Sequence, residues 1–273
     1  MIAYAAESAI HISLKAEPIF HLGGFPVTNS LLLSSVVLVL LGALAIIGRS
    51  RLKLIPGTLQ NIFEMFLEFL LDLMDSVLSA GGGSASGGGH ERKSEKYLPL
   101  IATIFLFVLF SNWFGLLPGV GSIVVHGPEE TAPLFRAPSA DLNFTIALAI
   151  IAVLSVNVLG AAAIGIGPRL KNFFNFSNPI AFFIGLIELV SEAARVVSFS
   201  FRLFGNIFAG EVLLTIIGYL APYIIPLPFL FLELFVGVVQ ALIFSMLSIV
   251  FIAIATVDHH AHDEEVTAHA PAH

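Results

Sequence analysis

Six charged side chains lie inside the two longest apolar segments of the chain, where ionisable groups are rare. These segments cover residues 179–220 and 228–257. An ionised group at the centre of a bilayer costs roughly 2.5–3.5 kcal/mol on insertion scales, so each one needs a counter-charge, water or a function. The default interpretation of such a set is an ion pathway. The six residues are Glu188, Glu192, Arg195, Arg202, Glu211 and Glu233.

Most polar side chains of the first segment fall on one face of a helix. At 100° per residue they occupy a stripe about 80° wide. The stripe contains Glu188, Glu192, Arg195, Ser198, Arg202 and Asn206. Arg195 follows Glu192 by three residues, a spacing that allows an ion pair within the helix. Two interpretations stay open for this pair: two charges that satisfy each other near the cytoplasmic end, or part of an ion pathway.

Arg202 has no carboxylate three or four residues away on either side. The apolar segments 98–117 and 142–166 contain no acid, and Glu211 lies about 180° away around the helix. The sequence therefore predicts that the counter-charge is a carboxylate on another chain. Because a guanidinium stays protonated at any working pH, Arg202 is predicted to act as a fixed electrostatic gate. The alternative is an arginine whose stem reaches the membrane surface.

Glu211 and Glu233 are predicted to lie at similar depth on the outer side of a hairpin that turns near residue 224. If they approach closely, repulsion in a poor dielectric keeps at least one of them protonated near neutrality. Alternatively, one of them only reaches interfacial water. Gln240 follows Glu233 by seven residues on the same helical face. Simple hairpin geometry places it about two turns outward of Arg202.

The composition predicts the elements that position these side chains. Of 273 residues, 57% are hydrophobic and 11% are charged, against roughly 25% charged in soluble domains. This excludes a soluble globular protein and predicts an all-α integral membrane protein of about five membrane helices and one amphipathic surface helix. The absence of cysteine excludes disulfides and thiolate metal sites. A net charge of −7 gives no reason to expect a nucleic-acid partner, and no cofactor is predicted.

The chain is predicted to form one membrane domain over residues 1–273. In the segment 58–80, acidic residues recur every three or four positions, which is typical of an amphipathic helix. Its acidic stripe fits either a solvated extramembrane face or an interfacial helix. The last two helices are too long to cross a bilayer upright, so they are predicted to tilt and form a hairpin. The predicted segments are an external tail 1–28, spans 29–48, 98–117 and 142–166, the amphipathic helix 58–80, a Gly-rich linker 81–96, the hairpin 179–257 and a cytoplasmic tail 258–273.

Basic residues predict the orientation. Lys15 and Arg136 are the basic residues of one side, while the other side has eight, which favours an external N-terminus and a cytoplasmic C-terminus. No cleavable signal peptide is expected. The His-rich stretch 259–263 could bind a metal, although a solvated terminus is the simpler interpretation. The eight are Arg49, Arg51, Lys53, Arg92, Lys93, Lys96, Arg169 and Lys171.

One motif gives a specific family resemblance. Residues 200–211 read SFRLFGNIFAGE, which resembles the signature of subunit a of the F-type ATP synthase. Supporting motifs are PSADLN at 138–143, QALIF at 240–244 and GTLQN at 57–61. The resemblance covers about residues 30 to 257 and leaves out the Gly-rich linker and the His-rich tail.

The resemblance implies a non-catalytic stator subunit of a bacterial plasma membrane. Such a subunit holds two offset half-channels beside a rotating ring of c subunits, with peripheral-stalk b subunits and the rest of the synthase as further partners. By motif, Arg202 corresponds to the essential arginine, with Asn206 and Gln240 as polar residues close to it. The outer half-channel is then expected to include Asp141, Glu211 and Glu233, the last of which is His in some members. The inner half-channel is expected to include Glu188, Glu192, Arg195 and Ser198.

Two other classes of function remain as alternatives. A cation/proton antiporter requires inverted repeats and discontinuous helices with paired acids in one chain, and the sequence offers neither clearly. A non-conducting scaffold would tolerate the loss of Arg202, Glu211 and Gln240 without loss of proton flux.

Overall fold

The computed structural model describes residues 16–50, 52–53, 56–80, 93–121, 123–126, 131–165, 167, 179–221 and 224–256. The Gly-rich stretch 81–89, the His-rich stretch 259–263 and the basic residues 51, 92, 169 and 171 lie outside the described residues. Residues Lys93–Lys96, assigned to the linker from the sequence, form a 3-10 turn.

Six helices make up most of the described structure, which confirms the predicted all-α class. Four of them, α1, α3, α4 and α6, are long and apolar enough to cross a membrane. At about 1.5 Å per residue, the 42 residues of α5 extend roughly 63 Å, so this helix must tilt or bend to remain in a bilayer. The helices are α1 Asn29–Ser50, α2 Thr58–Ala80, α3 Leu98–Gly115, α4 Leu142–Ile164, α5 Pro179–Leu220 and α6 Pro226–Thr256.

Short strands lie before α1 and between α3 and α4, and the sequence analysis did not predict them. The first two pair antiparallel across a turn at Gly23 and Gly24, whose φ angles of 58° and 91° suit glycine. The last two also pair antiparallel. The two hairpins lie near each other, since Asn29 Nδ2 at the start of α1 donates a 3.3 Å hydrogen bond to the carbonyl of Pro133 in the last strand. The strands are β1 Pro18–Leu22, β2 Phe25–Thr28, β3 Pro118–Gly121, β4 Val124–His126 and β5 Thr131–Pro133.

Helix α6 lies at the centre of the packing and contacts α2, α3, α4 and α5. Its Phe244 is almost completely buried and packs on Phe199 of α5, with ring centroids 4.7 Å apart. Where α4 passes α6, Gly160 leaves only enough space for the backbone and side chain of Ala255. Helix α5 is therefore held beside α6 by large aromatic side chains, and α4 approaches α6 closely at small ones.

Helix α2 is amphipathic and lies on the surface, as predicted. Its Leu70 and Met74 are fully buried in the core, while Glu64 and Glu68 are exposed. Apolar side chains are exposed on the same helix, which favours the interfacial alternative over a solvated helix. They are Leu59, Ile62, Phe63, Met65 and Phe69.

Candidate functional site

Arg202 projects from an exposed face of α5, near the middle of the helix. Its guanidinium donates one hydrogen bond to Ser198 Oγ at 3.3 Å, one turn earlier. Within the described part of the chain, no acid forms an ion pair with Arg202. Next to it, Gly205 leaves open space on the same exposed surface. The predicted lack of an intramolecular counter-charge therefore holds for the described residues.

Asn206 lies one turn beyond Arg202 and bridges α5 to α6. Its Nδ2 donates a 2.7 Å hydrogen bond to Oε1 of Gln240. Gln240 is 1% exposed, and its Nε2 has no hydrogen-bond partner among the described residues. The two amides meet one turn outward of Arg202, closer to it than the simple hairpin register predicted.

Glu211 is paired with Arg136, a residue that the sequence analysis placed only in an external loop. The Nε of Arg136 lies 3.2 Å from Glu211 Oε1, and its Nη2 donates a 3.3 Å hydrogen bond to Oε2. Arg136 is 6% exposed, and its guanidinium lies 6.0 Å from the ring centroid of Phe208. A single basic residue just before the PSADLN motif was the signal that could have indicated this contact.

Glu233 of α6 lies against α5 at Gly210, the residue immediately before Glu211. Its carboxylate occupies the position that a Cβ of residue 210 would take, so a larger residue at 210 would displace the end of the Glu233 side chain. Glu233 is 6% exposed and makes no hydrogen bond or ion pair with another described residue. No hydrogen bond joins it to Glu211 in the described structure. Glu211 and Glu233 thus approach the same part of α5, as their predicted similar depth requires, but Glu211 is paired with Arg136.

Asp141 caps α4 and links it to α1. Its Oδ1 accepts a 3.1 Å hydrogen bond from the backbone N–H of Asn143, and its Oδ2 accepts one of 2.7 Å from Ser30 Oγ. Both oxygens are thus used, and the residue is 4% exposed. Asp141 therefore has a structural role that the sequence analysis did not foresee.

Three buried polar residues near this region were missed because they lie in or beside apolar segments. Ser111 Oγ, Asn112 Oδ1 and Ser139 Oγ have no hydrogen-bond partner among the described residues. The Nδ2 of Asn112 donates to the carbonyl of Gly237, between Glu233 and Gln240 along α6. Buried polar atoms without protein partners are common binding points for internal water.

The inner half of α5 holds its charges by local contacts. Arg195 Nη1 lies 2.6 Å from Glu192 Oε1, and the guanidinium covers the ring of Phe251 at 4.6 Å. Asn157 of α4 donates a 3.1 Å hydrogen bond to Glu192 Oε2. Glu188 is half-buried one turn before this pair. The pair is satisfied inside the protein, as the structural interpretation expected.

Comparison with known proteins identifies the family. The ATP synthase A chain family profile matches residues 30–253. The chain belongs to this family. ATP synthase subunit a of Campylobacter jejuni subsp. doylei is 40% identical over 80% of this chain and 85% of its own. The Gloeobacter violaceus subunit a is 34% identical over 94% of both chains, and that of Moorella thermoacetica 31% over 88% and 96%.

As an ATP synthase A chain, the protein is a multi-pass membrane subunit that works in proton transport and is not an enzyme by itself. It acts in a complex with other ATP synthase subunits. Within the described residues, no group of three His, Asp or Glu side chains could hold a metal ion.

Proposed function

We propose that the chain forms two offset proton half-channels with Arg202 as the gate between them. The observation that carries the proposal is the contrast between this arginine and two others: Arg136 and Arg195 are each paired with an acid, while Arg202 faces outward. An exposed cation within the membrane requires an external counter-charge. A carboxylate of the c-subunit ring, passing this face of α5, would supply it.

The outer half-channel in this proposal runs between α5 and α6 toward the gate. Glu211 and Glu233 stand at its walls, and Asp141 holds the end of α4 beside them. The Asn206–Gln240 pair lies between these acids and Arg202. The unpartnered polar atoms of Ser111, Asn112 and Ser139 support a hydrated route on this side. A proton arriving here neutralises the ring carboxylate, which can then enter lipid.

The inner half-channel in this proposal begins below the gate at Ser198. The side chains of Glu188, Glu192 and Arg195 line the rest of this route along the same helix, toward the cytoplasmic surface of the membrane. A ring carboxylate that returns after nearly a full turn releases its proton into this route. The internal Glu192–Arg195 pair provides a fixed polar wall, which is compatible with water passage but does not require either residue to change its charge.

The gate prevents a direct leak between the half-channels. Each proton that crosses 100 mV releases about 2.3 kcal/mol, which produces rotation only if the proton travels with the ring. Because the guanidinium repels cations and stays protonated, it blocks the direct route and still attracts each deprotonated ring site. The excess of basic residues supports an external N-terminus and a cytoplasmic C-terminus in a bacterial plasma membrane, with b subunits as further partners.

The test is Arg202→Ala in membrane vesicles that contain the complete synthase. We expect ATP synthesis driven by an imposed proton gradient to be lost, while passive proton conductance persists or rises because the barrier is removed. The matched control is Arg49→Ala, at the exposed end of α1, which should keep both activities. Retained synthesis in Arg202→Ala would contradict the proposal.

A further inference from the structure

The contact between Arg136 and Glu211 joins parts of the chain that are 75 residues apart. Arg136 lies between strand β5 and the turn Pro138–Ala140, outside the predicted membrane helices, yet it is 6% exposed. Glu211 is 38% exposed on the surface of α5. The external loop therefore folds back and delivers a cation to the side of a membrane helix.

The position of this loop is fixed by close packing. Gly115, at the end of α3, contacts Ala137 so tightly that a Cβ on residue 115 would overlap the Ala137 side chain. Ala137 and Ala140 are also buried in the core. The residue next to Ala137 in sequence is Arg136, so its backbone has little freedom. An arginine on a rigid segment can hold a carboxylate at a defined place.

The two acids of the outer side consequently have different surroundings. Glu211 contacts a permanent cation, Arg136, while its partial burial and the nearby charge of Glu17 act against its ionised form. Glu233 lies across Gly210, is buried, and has no ion pair or hydrogen bond with a described residue. Burial without a partner favours the uncharged form of a carboxyl group. One acid is therefore held in place by a cation, and the other has no partner and is suited to bind and release a proton.

We propose that Arg136 is a positioning residue of the outer half-channel, which holds Glu211 in place on the wall and leaves Glu233, the acid without a partner, to carry the proton. This inference rests on the proposed half-channels. Arg136 acts through Glu211 and takes no part in proton transfer itself. Without Arg136, Glu211 becomes an uncompensated charge beside the route, and it competes with Glu233 for protons.

The experiment is a double-mutant cycle in vesicles that contain the complete synthase. Proton uptake driven by ATP is measured for Arg136→Gln, Glu211→Gln and the double variant, and normalised to the assembled complex. We expect Arg136→Gln to lose at least tenfold in uptake. The double variant should return to within threefold of Glu211→Gln, because it removes both charges. Arg136→Lys, which keeps the charge, should retain more uptake than Arg136→Gln.

Each result decides between an electrostatic and a packing role. If the double variant is as inactive as Arg136→Gln, the loss comes from the loop structure and the proposal is overturned. If Arg136→Gln prevents assembly, recovery of assembly in the double variant supports the charge pair, and persistent failure overturns it. Glu233→Gln should abolish uptake; full uptake in that variant overturns the assigned division of roles. The half-channel proposal itself is tested separately by Arg202→Ala.

Discussion

The N-terminal and C-terminal halves of α5 neutralise their charges in different ways. In the N-terminal half, Glu192 meets an arginine three residues later in the same helix. In the C-terminal half, Glu211 meets an arginine 75 residues away in sequence. Between them, Arg202 has no acidic partner among the described residues. Local compensation, an uncompensated cation and long-range compensation thus follow one another along α5.

The comparison teaches that the position of the partner determines what a charge can do. The geometry of a pair within one helix is set by the spacing of its residues along that helix. A pair with a distant loop depends on the tertiary packing of that loop. An uncompensated cation is available to a moving partner. Along α5, the two paired acids, Glu192 and Glu211, are therefore fixed in place, while Arg202, the proposed gate, is available to a partner.

The largest expected effect comes from breaking the inner pair. Glu192→Ala leaves the half-buried Arg195 without its acid, and we expect a loss of about 3 kcal/mol in the free energy of unfolding. Unfolding of the subunit in detergent micelles measures it. Glu188→Ala is the control, since Glu188 makes no ion pair with a described residue, and it should cost below about 1 kcal/mol. Equal losses would show that the inner pair contributes no more than a surface charge.

The same pair was the easiest part of the site to predict from sequence. Spacing alone identified Glu192 with Arg195, and it also indicated that no acid in the neighbouring spans could neutralise Arg202. The contact between Arg136 and Glu211 could not be predicted, because it depends on how a loop packs between helices. The β-hairpins were missed for a similar reason: their strands are three to five residues long and mostly lack alternating hydrophobicity.

Other parts of the fold were predicted from particular residues. The run of apolar residues in α1, α3, α4 and α6 gives a strong signal for membrane helices, and the acids of α2 identify an amphipathic helix. The place of Asp141 was harder to predict. Its motif suggested a role in the proton route, but the capping hydrogen bond and the contact with Ser30 require the three-dimensional arrangement of α1 and α4.

A smaller effect is expected where the outer acids meet the helix surface. Gly210→Ala places a methyl group where the Glu233 carboxylate lies, so the flexible end of that side chain has to shift, at a cost of about 1 kcal/mol. The measurements are the free energy of unfolding and proton uptake, and both should fall. In Gly218→Ala, on the same helix, the new methyl group meets nothing within 4 Å. If Gly210→Ala and Gly218→Ala changed the free energy of unfolding and proton uptake equally, the contact between Gly210 and Glu233 would contribute to neither.

The smallest effect should follow from loss of the hydrogen bond between α1 and α4. Ser30→Ala removes the 2.7 Å donor to Asp141 and should cost about 1 kcal/mol of unfolding free energy. Ser35→Ala removes only an exposed bond to a carbonyl of its own helix, so its effect should be below about 0.5 kcal/mol. If Ser35→Ala cost as much as Ser30→Ala, the buried hydrogen bond between Ser30 and Asp141 would add little to the packing of α1.

The outward-facing arginine also has a consequence for biogenesis. Arg136 precedes Glu211 in the chain, so the acid meets its neutralising group within the newly made polypeptide. Arg202 has no acidic partner of this kind among the described residues. A freshly inserted copy that has not yet joined other subunits therefore carries a naked cation against lipid tails, which is unfavourable. The proposed pairing with a ring carboxylate would remove this cost, so the same side chain favours the assembled complex over the free subunit.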